Sequence, residues 1–193
     1  MNKGFLLPVL LLFFGAACKN KVKEGGDASG YFPVLSYLQS QVRQVDTSVY
    51  SITKITKQDG FKDTAYIRRE DFRKEAADFL SVPDLASAKW RDNYSETKLY
   101  DEDLKKVIIT YEPKDRAALP EITRQDVLIE PDAGSGDQVQ TIYIETTLSN
   151  DDSTIQKKMT WNVATNFQVI KIISKKNRPE VVQTTDVSWT NGH

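Results

Sequence analysis

One cysteine, Cys18, and one histidine, His193, supply all the thiol and imidazole of this 193-residue chain. That scarcity removes most familiar reaction centres before any motif is sought. Serine or cysteine hydrolysis of the usual kind needs an imidazole to take the nucleophile's proton. The only imidazole is the last residue, an unpromising place for a positioned base, and no Ser–Lys motif stands in for it. A lone cysteine gives neither an internal disulfide nor a cysteine metal cluster. The chain also lacks a dominant charge: 26 Lys and Arg face 27 Asp and Glu, a net charge of −1. No global basic field gathers nucleic acid. Neither the Walker pattern nor the dinucleotide fingerprint occurs. Beyond residues 5–14 no apolar run approaches the length of a membrane span.

The beginning of the chain is its most informative part. Met1-Asn2-Lys3 is a short basic start, residues 5–14 are almost continuously apolar, and Gly15-Ala16-Ala17 places small residues directly before Cys18. That order is a secretory leader with a small-residue cleavage site, too short to span a bilayer as a stable helix. It resembles a bacterial lipoprotein signal, with Gly15 where that family usually carries an aliphatic residue. The resemblance implies that Cys18 is lipidated and becomes the first mature residue, anchoring the protein to a membrane. It also implies an outer-membrane address facing the periplasm, because Lys19 stands where inner-membrane lipoproteins often carry Asp and no acidic run follows. Residues 1–17 are then the signal peptide, and residues 18–30 a lipidated flexible tether, polar and glycine-bearing.

Residues 31–193 have the size and composition of one domain. Helical spacing of Val34, Leu35, Leu38, Val42 and Val45 predicts an amphipathic helix started by Pro33. A second helix is predicted over 69–80, with Phe72, Ala76, Phe79 and Leu80 on one face and Pro83 beyond its end. Between them, 49–56 reads as a strand closed by Asp59-Gly60, with 61–67 as its hairpin partner or a loop. β-Branched and aromatic runs follow at 90–100, 107–111, 127–130, 139–148, 155–163, 167–173 and 181–189. The short gaps between them favour an antiparallel meander. The expected class is α+β: two N-terminal helices packed on a curved, mainly antiparallel sheet of about five to seven strands. The layout is similar to cone-shaped α+β domains such as the nuclear transport factor 2-like fold.

Candidate chemistry is sparse. Asp101-Glu102-Asp103 and Asp151-Asp152 fall between predicted strands and read as solvated turns. Residues 132–137 faintly suggest a calcium loop, but they lack alternating Asp/Asn ligands and Tyr143 stands where a bidentate Glu is needed, so a glycine-rich hairpin turn explains them better. No catalytic, cofactor or metal-ligating residue is assigned. Most aromatics should be core; Trp90, Trp161 and Trp189 are the candidates for a ligand or partner surface. The sequence therefore points to a non-enzymatic envelope lipoprotein serving protein interaction or assembly. The alternative is a carrier or sensor of a small or apolar ligand in a sheet-lined pocket.

Overall fold

The computed structural model describes residues 30–118, 121–132, 134 and 136–190. The leader, Cys18 and the tether through residue 29 lie outside the described residues. One helix opens the fold, α1 Val34–Asp46. A hairpin follows, β1 Ser51–Gln58 and β2 Phe61–Ile67. Short helical pieces come next: a 3₁₀ turn at Arg69–Asp71, α2 Phe72–Glu75, α3 Ala77–Leu80 and α4 Ala88–Arg91. Then, among the described residues, seven strands follow: β3 Tyr94–Asp101, β4 Lys106–Pro113, β5 Ile122–Glu130, β6 Gln138–Ser149, β7 Ser153–Asn162, β8 Asn166–Lys175 and β9 Val181–Thr190.

All nine strands form one antiparallel sheet in the order β2-β1-β9-β8-β7-β6-β5-β4-β3. This corrects the expected α+β class. A sheet of nine strands, not five to seven, makes up most of the molecule, and only about 18% of it is helical. The second expected helix is not continuous. Ala76, with ψ near zero, ends α2 and precedes α3. Its apolar spacing survives the break, because Phe72, Ala76 and Phe79 are all fully buried. Packing sets which residues point inward, while helix regularity between them is optional at this length.

Turn chemistry fixes the meander. Asp59 (φ 51°) and Gly60 (φ 81°) both take left-handed conformations, as a two-residue hairpin turn requires. Asn150 Oδ1 accepts the backbone N–H groups of Asp152 (3.0 Å) and Ser153 (2.8 Å) and so turns β6 into β7. Ala164 and Asn177, also at positive φ, lie in the next two turns. In the glycine-rich connection before β6, Gly134 N–H donates to Asp132 Oδ1 (2.7 Å) and Gly136 N–H to Asp132 O (3.0 Å), the hairpin-turn geometry.

Residues 68–93 leave one edge of the sheet, β2, and arrive at the other, β3. The helical pieces on this crossing, with α1, lie against a single face. From α1 come Val34, Leu38, Val42 and Val45, and from the crossing Phe72, Phe79, Val82 and Leu85, all buried. From the sheet come Ile52, Tyr111, Ile142, Ile144, Met159, Trp161, Phe167, Val187 and Trp189. Phe72 meets Trp189 edge-on at 5.1 Å between ring centres, Phe79 meets Trp161 at 5.2 Å, and Trp161 stacks on Phe167 at 5.2 Å. Such offset and edge contacts add roughly 0.5–1.5 kcal/mol each beyond burial.

Candidate binding surfaces

The three tryptophans proposed as a surface are placed differently by the fold. Trp161 and Trp189 are at most 1% exposed. They belong to the aromatic core and offer nothing to a partner, because their strands direct them under Phe72 and Phe79. Trp90 is partly buried against that core. It sits in α4 and not in the strand expected from residue 90, with Lys89 Nζ 5.0 Å from its ring centre. Indole Nε1 of Trp161 and amide Nε2 of Gln125 are buried with no hydrogen-bond partner among the described residues.

Exposed aromatics lie elsewhere. Phe61 is 81% and Tyr66 85% exposed, both on edge strand β2. Phe61 shares a face with the core side chains and Tyr66 lies on the opposite one, since side chains alternate along a strand. Lys57, Gln58, Phe61, Lys62, Val182 and Thr184 frame a shallow cleft of about 230 Å³ beside this edge. The other edge strand, β3, also exposes Leu99 (63%) and Tyr100 (52%), but its head is occupied. Tyr31 Oη donates to the carbonyl of Tyr94 at the head of β3, and Phe32 N–H donates to Tyr111 Oη (2.8 Å), so the N-terminal segment rests against that side. Sequence reading missed Phe61 and Tyr66. The available signal was a strand with aromatics near its ends and charged or small residues between.

The helix-covered face continues past the helices. Cross-strand register divides it into rows. Ile142, Trp161, Phe167, Val187 and Lys54 stand in one, and Ile144, Met159, Val169, Thr185 and Thr56 in the next. Beyond these come Thr146, Lys157, Lys171 and Gln183, then Leu148, Ile155, Ile173 and Val181. A cleft of about 330 Å³ opens where α2 and α3 end, lined by Lys54, Lys74, Glu75, Asp78, Val169 and Lys171 among others. Lys54 Nζ pairs with Glu75 Oε2 at 2.7 Å, and Lys157 Nζ with Asp78 Oδ1 at 2.6 Å.

The opposite face is polar. Asp126, 7% exposed, accepts hydrogen bonds from Thr110 Oγ1 and Arg124 Nε, both at 2.8 Å. Glu145 accepts from Tyr143 Oη (3.1 Å) and Gln156 Nε2 (2.6 Å). Burial first, then the Glu145 carboxylate, pushes the Tyr143 hydroxyl up to about 12. A register shift between Ile122 and Arg124 bulges β5 here. Near it, at the start of β5 and the end of β6, opens a cleft of about 590 Å³, lined by Glu112, Arg116, Glu121, Thr123, Arg124 and Glu145, with Pro113 and Leu148 reaching it from the other face. The acid runs 101–103 and 151–152 lie at turns, and no group of three His, Cys, Asp or Glu gathers among the described residues. Comparison of the chain with protein-family models, with curated proteins and with solved structures finds no match.

Proposed function

We propose that this chain is a lipid-anchored envelope protein, tethered through Cys18 to the outer membrane and facing the periplasm, whose domain works by binding a protein partner and not by catalysis. The lipobox-like leader supports the address, and the scarcity of imidazole and thiol supports a non-catalytic role. The observation that carries the binding reading is edge strand β2, with no further strand beside it among the described residues and with its two exposed aromatics. Exposed long edges are normally blunted or covered, since their free backbone groups template another strand. The two-residue Asp59-Gly60 turn makes Gln58 and Phe61 a hydrogen-bonded pair. By alternation the backbone of Lys62, Thr64 and Tyr66 then faces the open edge. An extended segment of an envelope protein added there would gain main-chain hydrogen bonds, with Phe61 and Tyr66 gripping it from opposite faces.

A photo-crosslinker in place of Lys62, introduced into the full protein in intact envelopes, tests this. One stoichiometric protein adduct is expected, lost in Thr64→Pro, which removes an outward N–H and leaves the β1 ladder intact. Absence of any adduct, or an adduct indifferent to Thr64→Pro, overturns the strand-addition reading. Mass spectrometry of the native product tests the address, which fails if Cys18 carries no lipid. A second reading, a carrier of a small polar ligand, is favoured by the 590 Å³ cleft at Arg124 and Glu145. Its test is native mass spectrometry for a co-purifying small molecule lost in Arg124→Ala.

A further inference from the structure

The cleft beneath α2 and α3 contains an unbalanced cation. Lys157 and Lys171 face each other directly across β7 and β8, on the same side of the sheet. Like charges so placed repel. Asp78 answers Lys157 at 2.6 Å, and Glu75 answers Lys54 at 2.7 Å. Lys171 and Lys74 make no ion pair among the described residues. Asp63, on the edge strand and on the same face, is three strands away from Lys171, about 14 Å by strand spacing. Three ammonium groups, those of Lys54, Lys74 and Lys171, therefore share a 330 Å³ opening with two carboxylates, Glu75 and Asp78, which already pair with Lys54 and with Lys157 beside Lys171; Phe167 and Val169 also line it.

Directly beyond Lys157 and Lys171 in the register lies the row Leu148, Ile155, Ile173 and Val181. It crosses four strands without a polar residue and lies outside the packed core, with Leu148 50% exposed. A lysine-bearing row flanked by an apolar row that no other described segment covers is the pattern expected for a ligand with a charged head and a greasy tail. We propose that this end of the sheet binds a single-chain anionic amphiphile. Its carboxylate or phosphate head sits between Lys171 and Lys74, and its acyl chain lies across Leu148, Ile155, Ile173 and Val181. The row spans about 14 Å from β6 to β9, room for a medium-length chain lying flat. Charge complementarity selects an anion over a neutral lipid, and the single apolar row selects one chain over two. The site is separate from the β2 edge, so the two proposals fail independently.

The test uses the full protein in its own envelope and a photoactivatable diazirine laurate as probe. Labelling is expected on peptides carrying residues 146–157 and 171–183. Excess laurate should compete it away, and dodecanol should compete at least tenfold less well. Lys171→Glu should cut labelling about tenfold. Lys74→Glu, on the exposed side of α2, should cut it severalfold without touching the sheet. Lys158→Glu, on the opposite face, should leave it unchanged, and the Lys62 crosslink should persist in all three. Equal competition by dodecanol would show a merely greasy surface and overturn the proposal. Equal competition by inorganic phosphate would show a free-anion site and overturn the acyl assignment. Labelling indifferent to both Lys171→Glu and Lys74→Glu, or no labelling of these peptides, overturns it as well.

Discussion

Strands β7 and β8 contribute to two unlike surfaces on one face of the sheet. Toward one end Trp161 and Phe167 pack against Phe72 and Phe79, with Met159 and Val169 also buried. Toward the other, Lys157, Lys171, Ile155 and Ile173 remain partly open. The alternation is identical in both halves, so the strands themselves do not distinguish them. The difference is the reach of the crossing segment 68–93, whose helices over this part of the sheet, α2 and α3, end near Asp78 and Leu80. Where it covers the sheet, aromatic side chains interlock. Where it stops, lysines mark the boundary and no other described segment packs over the aliphatic residues beyond it. A sheet longer than its cover gives the protein a stable half and a half free for contact.

The largest expected effect lies in the covered half. Phe72→Ala removes a fully buried ring from contact with Trp161, Phe167 and Trp189 and should cost about 3–5 kcal/mol. Leu148→Ala, in the open half, should cost about 0.5 kcal/mol or less. Urea denaturation of the two variants measures the contrast directly, and equal losses would erase it. At the boundary, Asp78→Asn leaves Lys157 facing Lys171 without its carboxylate. The Lys157 and Asp78 side chains are partly solvated, 23% and 40% exposed, so the loss should be about 1 kcal/mol or less and shrink in high salt.

A smaller effect sharpens the comparison with the opposite face. Tyr143 ordinarily ionises near 10.0 but is pushed up to about 12, chiefly by burial and then by Glu145. The folded state thus holds the phenolic proton more tightly than the unfolded chain. Its contribution to stability is complete below pH 10 and is lost as pH rises from 10 toward 12. Tyr143→Phe should make the decline in urea midpoint over that window shallower. Part of the decline will remain, because burial raises Tyr111 too. The smallest stability change is expected of Thr64→Pro on the open edge, within about 0.5 kcal/mol, while its effect on partner crosslinking should be complete. A Thr64→Pro variant that unfolds would show that this edge is held in place by something other than β1.

Much of the meander was legible because strand and turn signals are local. The runs 139–148, 155–163, 167–173 and 181–189 each fall within an observed strand or overrun it by a residue, and Asp59-Gly60 makes the expected hairpin turn. Alternation along a strand puts Met159 with Trp161, and Val187 with Trp189, on one face, and both pairs are buried. The same alternation puts Leu148 on the face of Ile142 and Ile144, yet Leu148 is half exposed. It points the right way but lies past the cover. Trp90 misled because Ser87, whose Oγ donates to the carbonyl of Asp84 (2.7 Å), opens a short helical turn before the strand. The candidate surfaces were barely legible. Phe61 and Tyr66 carry no signal of exposure in their identity, and Lys171 looks like any strand lysine until Lys157 is set opposite it.

The sequence by itself determined the strand directions, the turns and the side of each strand that can be apolar, because those depend on neighbours within a few residues. It also determined the scarcity of thiol and imidazole. Tertiary structure alone decided which apolar residues are covered, which edge stays open and which lysines share a cleft. Coverage depends on where a segment from one edge of the sheet ends over strands some eighty residues further along the chain, and local residue patterns carry no measure of that distance.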